Sequence, residues 1–256
     1  MGLLTTKDLT IRFGGHVAVN AVSCTFQPGT LTAIVGPNGA GKTTYFNLIS
    51  GQLAASSGTV TLNGQDLSGM SASARTRAGL GRAFQLTNLF PRLSVLENVR
   101  VAVQATREGA HRHGLNLWSI WSDHPALTAR AREILESVAL IDKAHSDVAS
   151  LPHGDQRKLE VAMLIALESQ VFMFDEPTAG MSGDEMPAVL NLIRRLREDK
   201  RKTILLVEHK MDVVRELADR IIVLHNGTLV ADGEPAAVIA SPIVQEAYLG
   251  ISKVAA

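Results

Sequence analysis

The most informative part of this chain is the stretch Gly36-Pro37-Asn38-Gly39-Ala40-Gly41-Lys42-Thr43-Thr44. It matches the pattern G-x-x-x-x-G-K-[ST], which forms a phosphate-binding loop, at every fixed position. The apolar run over residues 31–35 before it is typical of a buried strand, and residues 44–49 behind it are typical of the start of a helix. A strand, this loop and a helix in that order predict a nucleotide-binding α/β core.

The residue types in this loop suit the binding of a phosphate chain. Glycines let the backbone curve around phosphates with its N–H groups pointing inward, and the following helix adds a positive N-terminal end. The lysine is expected to contact the β- and γ-phosphates, and the threonine after it to ligate Mg²⁺. The alternative, a glycine-rich turn with an exposed lysine, is disfavoured by the complete match in this context. The predicted nucleotide-binding residues are Gly36, Pro37, Asn38, Gly39, Ala40, Gly41, Lys42, Thr43 and Thr44.

The composition of the 256-residue chain is that of a packed globular protein, with 46% hydrophobic and 20% charged residues. A formal net charge of +0 and the lack of a long basic run give no indication of a nucleic-acid partner. The single cysteine, Cys24, excludes a disulfide within the chain and favours a reducing cytoplasm. No apolar run reaches the ~18 residues that a membrane helix needs, and no signal peptide is evident. We expect a soluble chain that acts at a membrane only through a partner.

Short strands flank the phosphate loop. The patterns over residues 3–13, 16–26 and 59–62 predict strands, separated by glycine-containing turns. Their number and position suggest an antiparallel sheet that lies beside the parallel nucleotide-binding core. Phe13, close to the first turn, is a candidate platform for stacking adenine, and a core aromatic is the equally good alternative.

Two further predicted strands end in polar side chains that suit phosphate hydrolysis. Residues 171–175 are apolar up to Asp175-Glu176, and the apolar run 203–207 leads to His209. Parallel strands of an open α/β sheet end at one edge, where ligands bind. We expect Asp175 to bind Mg²⁺ through a water, Glu176 to act as general base on the attacking water, and His209 to hydrogen-bond the γ-phosphate. The alternative is a strand that ends in a solvated acidic turn.

The middle of the chain changes character after residue 85. Residues 81–85 have the pattern of a strand, and Gln85 at its end is expected to reach Mg²⁺ or the attacking water. Apolar side chains at helical spacing near residues 93–99 and 129–135 then predict helices. We interpret this region as a helical subdomain inserted into the core.

Taken together, these residues resemble the nucleotide-binding subunit of an ATP-binding cassette (ABC) transporter, over essentially the whole chain. The resemblance implies an ATP- and Mg²⁺-binding α/β fold with a parallel phosphate-loop core, a flanking antiparallel β subdomain and an inserted helical subdomain. It also implies the family's motifs: the Walker A loop at residues 36–43, the Walker B strand at residues 171–175 with the catalytic glutamate Glu176, the adenine-stacking Phe13, the Q-loop Gln85, the D-loop at residues 179–182 and the switch histidine His209. Mg²⁺ would be held by Thr43, Gln85 and Asp175.

The resemblance further implies a single nucleotide-binding domain. Residues 1–85 and 159–232 would form the catalytic core with its β subdomain, residues 86–158 the helical subdomain and residues 233–256 a C-terminal helical tail. Two such subunits, identical or different, would meet head to tail around ATP. They would move transmembrane permease subunits at the inner face of the plasma membrane, and a solute-binding protein would take part indirectly.

Within the family, details of the sequence resemble the ATPases of branched-chain amino acid uptake systems. These details are residues 12–15, the insertion near residues 105–125 and the ending at residues 247–250. Lipopolysaccharide-export and urea-uptake ATPases are close relatives of that type. A soluble cassette protein that clamps nucleic acid or ribosomes is an alternative from another class, although the coiled coils and basic extensions usual in such proteins are absent from this sequence.

One motif departs from the family pattern. The family signature, which contacts the partner's ATP in trans, reads Leu-Ser-Gly-Gly-Gln, but here it reads Leu151-Pro152-His153-Gly154-Asp155, followed by Gln156. The proline has no hydroxyl and no N–H, so the usual serine contact is lost, although proline fits the first turn of a helix. The D-loop also carries Ser182 where aspartate is common. The sequence therefore predicts a competent site in cis and an altered contact in trans, which favours pairing with a different cassette or a weakly active regulatory subunit.

Overall fold

The computed structural model describes residues 2–83, 89–106, 125–242 and 244–245. The strands in these ranges are β1 (Leu4–Phe13), β2 (His16–Phe26), β3 (Leu31–Val35), β4 (Ser57–Leu62), β5 (Gln65–Asp66), β6 (Leu80–Ala83), β7 (Val171–Asp175), β8 (Thr203–Val207), β9 (Arg220–His225) and β10 (Thr228–Gly233). The helices are α1 (Lys42–Ser50), α2 (Ala72–Arg77), α3 (Val95–Gln104), α4 (Pro125–Ser137), α5 (His153–Ala166), α6 (Met186–Glu198), α7 (Met211–Leu217) and α8 (Pro235–Ile239). No helix in the described ranges is both long and apolar enough to cross a membrane.

A six-stranded sheet, in the order β10-β9-β3-β8-β7-β6, forms the centre of the molecule. All neighbouring strands in it are parallel except β10, which returns antiparallel to β9. Strands β3, β7 and β8 are buried at every residue, as continuous apolar runs in parallel sheets are. Because β3, β8 and β7 are adjacent and parallel, their carboxyl ends meet at one edge. This confirms the predicted parallel α/β core.

The second sheet is antiparallel and has four strands, in the order β2-β1-β4-β5. It packs with α1 through one apolar cluster that includes the fully buried Phe26, Tyr45 and Phe46. Truncating such a buried aromatic typically costs about 3–5 kcal/mol, so this cluster fixes the phosphate-loop helix against the sheet. The cysteine lies here too: Cys24 is buried, and desolvation raises the pKa of its thiol. The predicted antiparallel sheet beside the core is confirmed.

Most of the longer helices pack on the opposite face of the central sheet from α1. Helices α3, α4, α5 and α6 share a second apolar cluster with the buried faces of β7 and β8. The sequence pattern predicts a helix over residues 158–167, whereas α5 begins five residues earlier, at His153, with Pro152 as its N-cap. The first residues of α5 are mostly polar and therefore lack the apolar spacing that indicates a helix. The expected boundary at residues 158/159 between helical subdomain and core therefore falls inside α5.

Candidate functional site

The phosphate loop connects β3 to α1 in a conformation that only glycine allows at two points. Gly36 has φ 153° and Gly41 has φ 95°. A Cβ atom on Gly36 would lie 2.1 Å from the carbonyl oxygen of Leu224, and one on Gly41 would lie 2.5 Å from that of Ala18. Within the described helix α1, the first turn carries no acidic side chain and its N-cap glycine makes no side-chain cap. The amide groups at this helix start therefore suit an anion.

Lys42 supplies a buried cation to this loop. Its side chain is 6% exposed, and Nζ donates to the carbonyl oxygens of Gly36 at 2.7 Å and Pro37 at 2.9 Å. Burial lowers the pKa of the ammonium group, whereas the carboxylates of Glu176 and Asp175 raise it. A lysine among loop carbonyls and two carboxylates can transfer its hydrogen bonds to a phosphate chain.

Asp175 ends β7 and forms an ion pair that the sequence analysis missed. Arg82 Nη2 lies 2.6 Å from Asp175 Oδ2, with both side chains less than a tenth exposed. Burial raises the pKa of Asp175, and Arg82 offsets part of that rise. Arg82 Nη1 also donates to Asn47 Oδ1 at 2.6 Å and Ser50 Oγ at 3.0 Å, which ties Asp175 to α1. The available signal was an arginine within a short strand otherwise made of apolar residues and glycine.

The predicted general base and switch histidine lie in contact at the ends of β7 and β8. Asp175 and Val207 are paired in the parallel register, so the residues that follow them are neighbours. His209 Nε2 lies 2.9 Å from Glu176 Oε1, and both side chains are 41% exposed. Glu176 has φ 52°, a left-handed conformation that is uncommon for this residue type and typical of functional strand ends. The pair can therefore reach a solvent-side reactant.

Glu208, directly before the histidine, has a buried carboxylate with three donors. Its Oε2 accepts from the backbone N–H groups of His209 at 2.7 Å and Lys210 at 3.1 Å. Its Oε1 accepts from the hydroxyl of Thr178, which is also buried. No motif in the sequence predicts a role for this glutamate.

The structure separates the two interpretations of Phe13. This residue ends β1, pairs with His16 across the β1–β2 turn, and is 50% exposed. The interpretation as a core aromatic is wrong, because the ring lies at the surface. An exposed ring remains available for stacking.

The altered signature forms the first turn of α5. Pro152 is the N-cap and His153 the first helical residue, and both are exposed. Proline suits this position because its missing N–H has no partner at a helix start. Gln156 Nε2 donates to the carbonyl oxygen of Leu151 at 3.0 Å and closes the turn.

Charged side chains of the same subunit hold the rest of the signature. Asp155 forms ion pairs with Lys143 and, at 2.8 Å, with Lys158. Burial acts to raise the pKa of Asp155, but the hydrogen bonds from the two lysines outweigh it and the pKa is lowered. Glu185 Oε1 accepts from the Gly154 N–H at 3.3 Å, while its Oε2 accepts from Ser182 in the D-loop at 3.2 Å.

Mg²⁺ would have hard oxygen ligands at this sheet edge. Thr43 is exposed, and the carboxylate of Asp175 lies at the carboxyl end of β7, which β8 separates from β3. These two oxygen groups fit the preference of Mg²⁺ for few protein ligands plus phosphate oxygens. The described part of the chain contains no group of three or more His, Cys, Asp or Glu arranged for a metal. The third expected ligand, Gln85, lies outside the described residues.

A phosphate loop, an acidic strand end and a histidine on one edge of a parallel sheet define a phosphate-loop nucleoside triphosphatase. The chain belongs to the ABC transporter family, whose sequence model matches residues 19–179. It is an ATP-binding and ATP-hydrolysing subunit of that family.

Relatives and solved structures extend this likeness to nearly the whole chain. The chain is 38% identical over 249 residues to the high-affinity branched-chain amino acid transport ATP-binding protein LivG of Escherichia coli K12, covering 97% of this chain and 98% of the relative. It is 35% identical over 256 residues to the corresponding protein BraF of Pseudomonas aeruginosa, covering 97% and 98%. A crystal structure of an ATP-binding cassette of an ABC transporter in its ADP conformation superposes with a TM-score of 0.81 at 26% identity, covering 98% of this chain and 99% of that one.

Proposed function

We propose that this subunit powers the uptake of branched-chain amino acids or related small polar solutes. The similarity to LivG and BraF supports the solute class, because both relatives match over nearly their full length. The contact between Glu176 and His209 beside the phosphate loop carries the catalytic part of the proposal. Solute recognition itself belongs to the membrane and solute-binding partners.

The residues of the loop and the two strand ends take separate roles in the proposed reaction. The loop amides of residues 36–44 and Lys42 bind the phosphates, and Phe13 stacks against adenine. Glu176 orients and polarises the attacking water, and His209 donates to the γ-phosphate. Thr43, Gln85 and Asp175 would hold Mg²⁺, which would neutralise charge on the phosphates.

A second ATPase subunit completes the site in trans. The first turn of α5, residues 152–156, would face the partner's γ-phosphate, and the exposure of Pro152 and His153 supports this orientation. Closure of the two subunits would act on permease subunits docked at the inner face of the membrane. We also propose that the subunit consists of a catalytic core (residues 1–85 and 159–232), a helical subdomain (residues 86–158) and a C-terminal tail (residues 233–256).

The test is ATP hydrolysis by the purified chain, alone and with its second ATPase subunit. We expect turnover by the wild type, an ATP-bound dimer that does not turn over for Glu176→Gln, and no ATP binding for Lys42→Ala. Lys7→Ala, which removes an exposed lysine on β1, is the matched control and should behave as wild type. Absence of hydrolysis both alone and with the second subunit would overturn the enzymatic part.

The solute class is tested in vesicles that contain the permease subunits. ATP supplied on the side of this chain should drive uptake of leucine, isoleucine or valine in the presence of the solute-binding protein. Vesicles that hydrolyse ATP but accumulate none of the three would overturn the solute assignment and leave the ATPase assignment intact.

A further inference from the structure

Glu208 is a buried carboxylate for which the reaction described above has no use. Its side chain is 2% exposed and lies at the end of β8, at the same sheet edge as the candidate base. Among the residues that the structure describes, the donors to it are neutral groups, one hydroxyl and two backbone amides. Burying a carboxylate against neutral donors costs free energy. We therefore expect the hydrogen bonds of Glu208 to have a specific role at this position.

The hydrogen bonds of Glu208 close a ring around the catalytic pair. Starting at Glu176, the chain runs through Pro177 to Thr178, whose hydroxyl donates to Glu208. Glu208 accepts from the N–H of the next residue, His209, and the imidazole of that residue returns to Glu176 at 2.9 Å. Each link is a covalent bond or a hydrogen bond within the described residues. Besides the backbone hydrogen bond from Glu176 N–H to Val207, Glu208 thus gives a second connection between the base and the histidine.

A second link holds the histidine from the other side. Lys210, the N-cap of α7, donates its backbone N–H to the same Oε2 atom at 3.1 Å. Its Nζ reaches the carbonyl oxygen of Thr178 at 3.5 Å. The backbone on both sides of the His209 Cα is therefore fixed to the segment that follows Glu176, which leaves the imidazole only its side-chain rotations.

We propose that Glu208 is a positioning residue that, through its three hydrogen bonds, holds the imidazole of His209 against Glu176. This inference rests on the proposed function, because it assigns Glu208 to the hydrolytic site. A misplacement of about 1 Å can cost about 100-fold in rate, so the expected effect falls on turnover and leaves ATP binding in place.

The first test separates hydrogen bonding from charge. Glu208→Gln can keep all three bonds, because its carbonyl oxygen can accept both amides and its amide can donate to the Thr178 hydroxyl. We expect kcat to stay within about threefold of wild type in Glu208→Gln and to fall by about 100-fold in Glu208→Ala, with KM for ATP changed by less than about twofold in both. An equal loss in both variants would overturn the role of the hydrogen bonds.

The matched control is a carboxylate at the opposite edge of the same sheet. Asp219 accepts from the N–H of Leu31 at 2.9 Å and pairs with Arg197, so it joins β3 to the start of β9 away from the reacting groups. Asp219→Ala should lower the denaturation midpoint without changing kcat per folded molecule. A fall in kcat like that of Glu208→Ala would mean that loss of any inter-strand carboxylate impairs turnover.

The second test does not depend on turnover. The chain has 8 histidines, and the NMR signal of the His209 imidazole is the one missing in His209→Ala. We expect this signal to move in Glu208→Ala in the direction it moves in Glu176→Ala, and to stay in place in Glu208→Gln and Asp219→Ala. An unmoved signal in Glu208→Ala overturns the proposal even if the wild type proves inactive, which keeps it separate from the failure of the ATPase assignment.

If the wild type is active, a double-mutant cycle of Glu208→Ala and His209→Ala measures whether the two residues act together on kcat. If Glu208 acts through His209, adding Glu208→Ala to His209→Ala should lower kcat by less than about twofold more. A further 100-fold loss on that background would show an independent role and overturn positioning.

Discussion

The two halves of the candidate site are held in different ways. In the cis half, Lys42, Asp175 and Glu208 are buried: Lys42 and Glu208 bond largely to backbone groups, and Asp175 pairs with the buried Arg82. The signature half starts with the exposed Pro152 and His153. Behind them it is tied by ion pairs and carboxylates to other elements of its own subunit. The cis half is therefore preorganised by the fold, whereas the presentation of the signature depends on a few side chains.

The largest effect is expected from Arg82→Ala, which would break the cis half. Removing the guanidinium leaves Asp175 buried without its cation, and breaking a buried pair in this way costs about 3–5 kcal/mol. Urea unfolding should show this loss as a lower denaturation midpoint of Arg82→Ala than of the wild type. Arg201→Ala, which removes an arginine that is 82% exposed and paired with Asp199, should leave the midpoint unchanged. The double variant Arg82→Ala/Asp175→Ala should be more stable than Arg82→Ala, since it no longer buries the Asp175 carboxylate without its cation. A less stable double variant would contradict this account.

Pro152→Ser tests whether the signature half limits turnover. Serine is a preferred N-cap residue, and its hydroxyl restores a donor at the start of α5. We expect turnover by paired subunits to rise by roughly tenfold or more, because one hydrogen bond to a charged group contributes about 1.5–3 kcal/mol, with ATP affinity of the single subunit unchanged. Pro187→Ser in the first turn of α6 is the matched control and should not alter turnover. Unchanged turnover in Pro152→Ser would mean that the proline is not limiting.

A smaller effect is expected from Glu185→Ala, which removes the bridge between D-loop and signature. This carboxylate accepts from Ser182 and from Gly154, and the backbone hydrogen bonds from these two residues lower its pKa. Loss of the bridge should reduce turnover of paired subunits by roughly threefold, the effect of an ordinary hydrogen bond, without changing ATP binding. Glu198→Ala, an exposed glutamate at the end of α6, serves as control. Equal losses in both variants would contradict a specific bridge.

The smallest effects are opposite pH dependences of two aspartates. The pKa of Asp155 is lowered from 3.8, so its contribution to stability is present above that value and is lost as pH falls toward the folded-state pKa. The pKa of Asp175 is raised from 3.8, so its contribution is greatest below that value and falls as pH rises through the folded-state pKa. We therefore expect the difference in unfolding free energy between wild type and Asp155→Asn to increase from acidic pH to neutrality. The corresponding difference between wild type and Asp175→Asn should decrease over the same range. Slopes of the same sign would contradict the assignment.

The sequence predicted best what depends on local pattern. Strands β2, β3, β7 and β8 lie at the predicted residues, because continuous or alternating apolar runs leave little choice of burial. The phosphate loop was evident for the same reason, since its glycines and lysine are contiguous. The predicted meeting of Glu176 and His209 needed one further rule, that parallel strands end at a common edge.

What the sequence could not predict depends on contacts between distant residues. Arg82 meets Asp175 across 93 positions, Thr178 meets Glu208 across 30, and Gly154 meets Glu185 across 31. Isolated arginine and glutamate residues carry no periodic signal, and their partners become known only from the sheet order. The early start of α5 was missed because a proline N-cap followed by polar residues resembles a loop.

Because Cys24 is buried, this chain is suited to site-specific labelling for distance measurements. The thiolate is the reactive form of cysteine, and here the only thiol is buried with a raised pKa. A probe that reacts with thiols at neutral pH will therefore attach to a cysteine introduced at an exposed position such as Ser182 or His153 and leave the native residue unlabelled. The approach of two subunits can then be followed by spectroscopy in an otherwise unaltered protein.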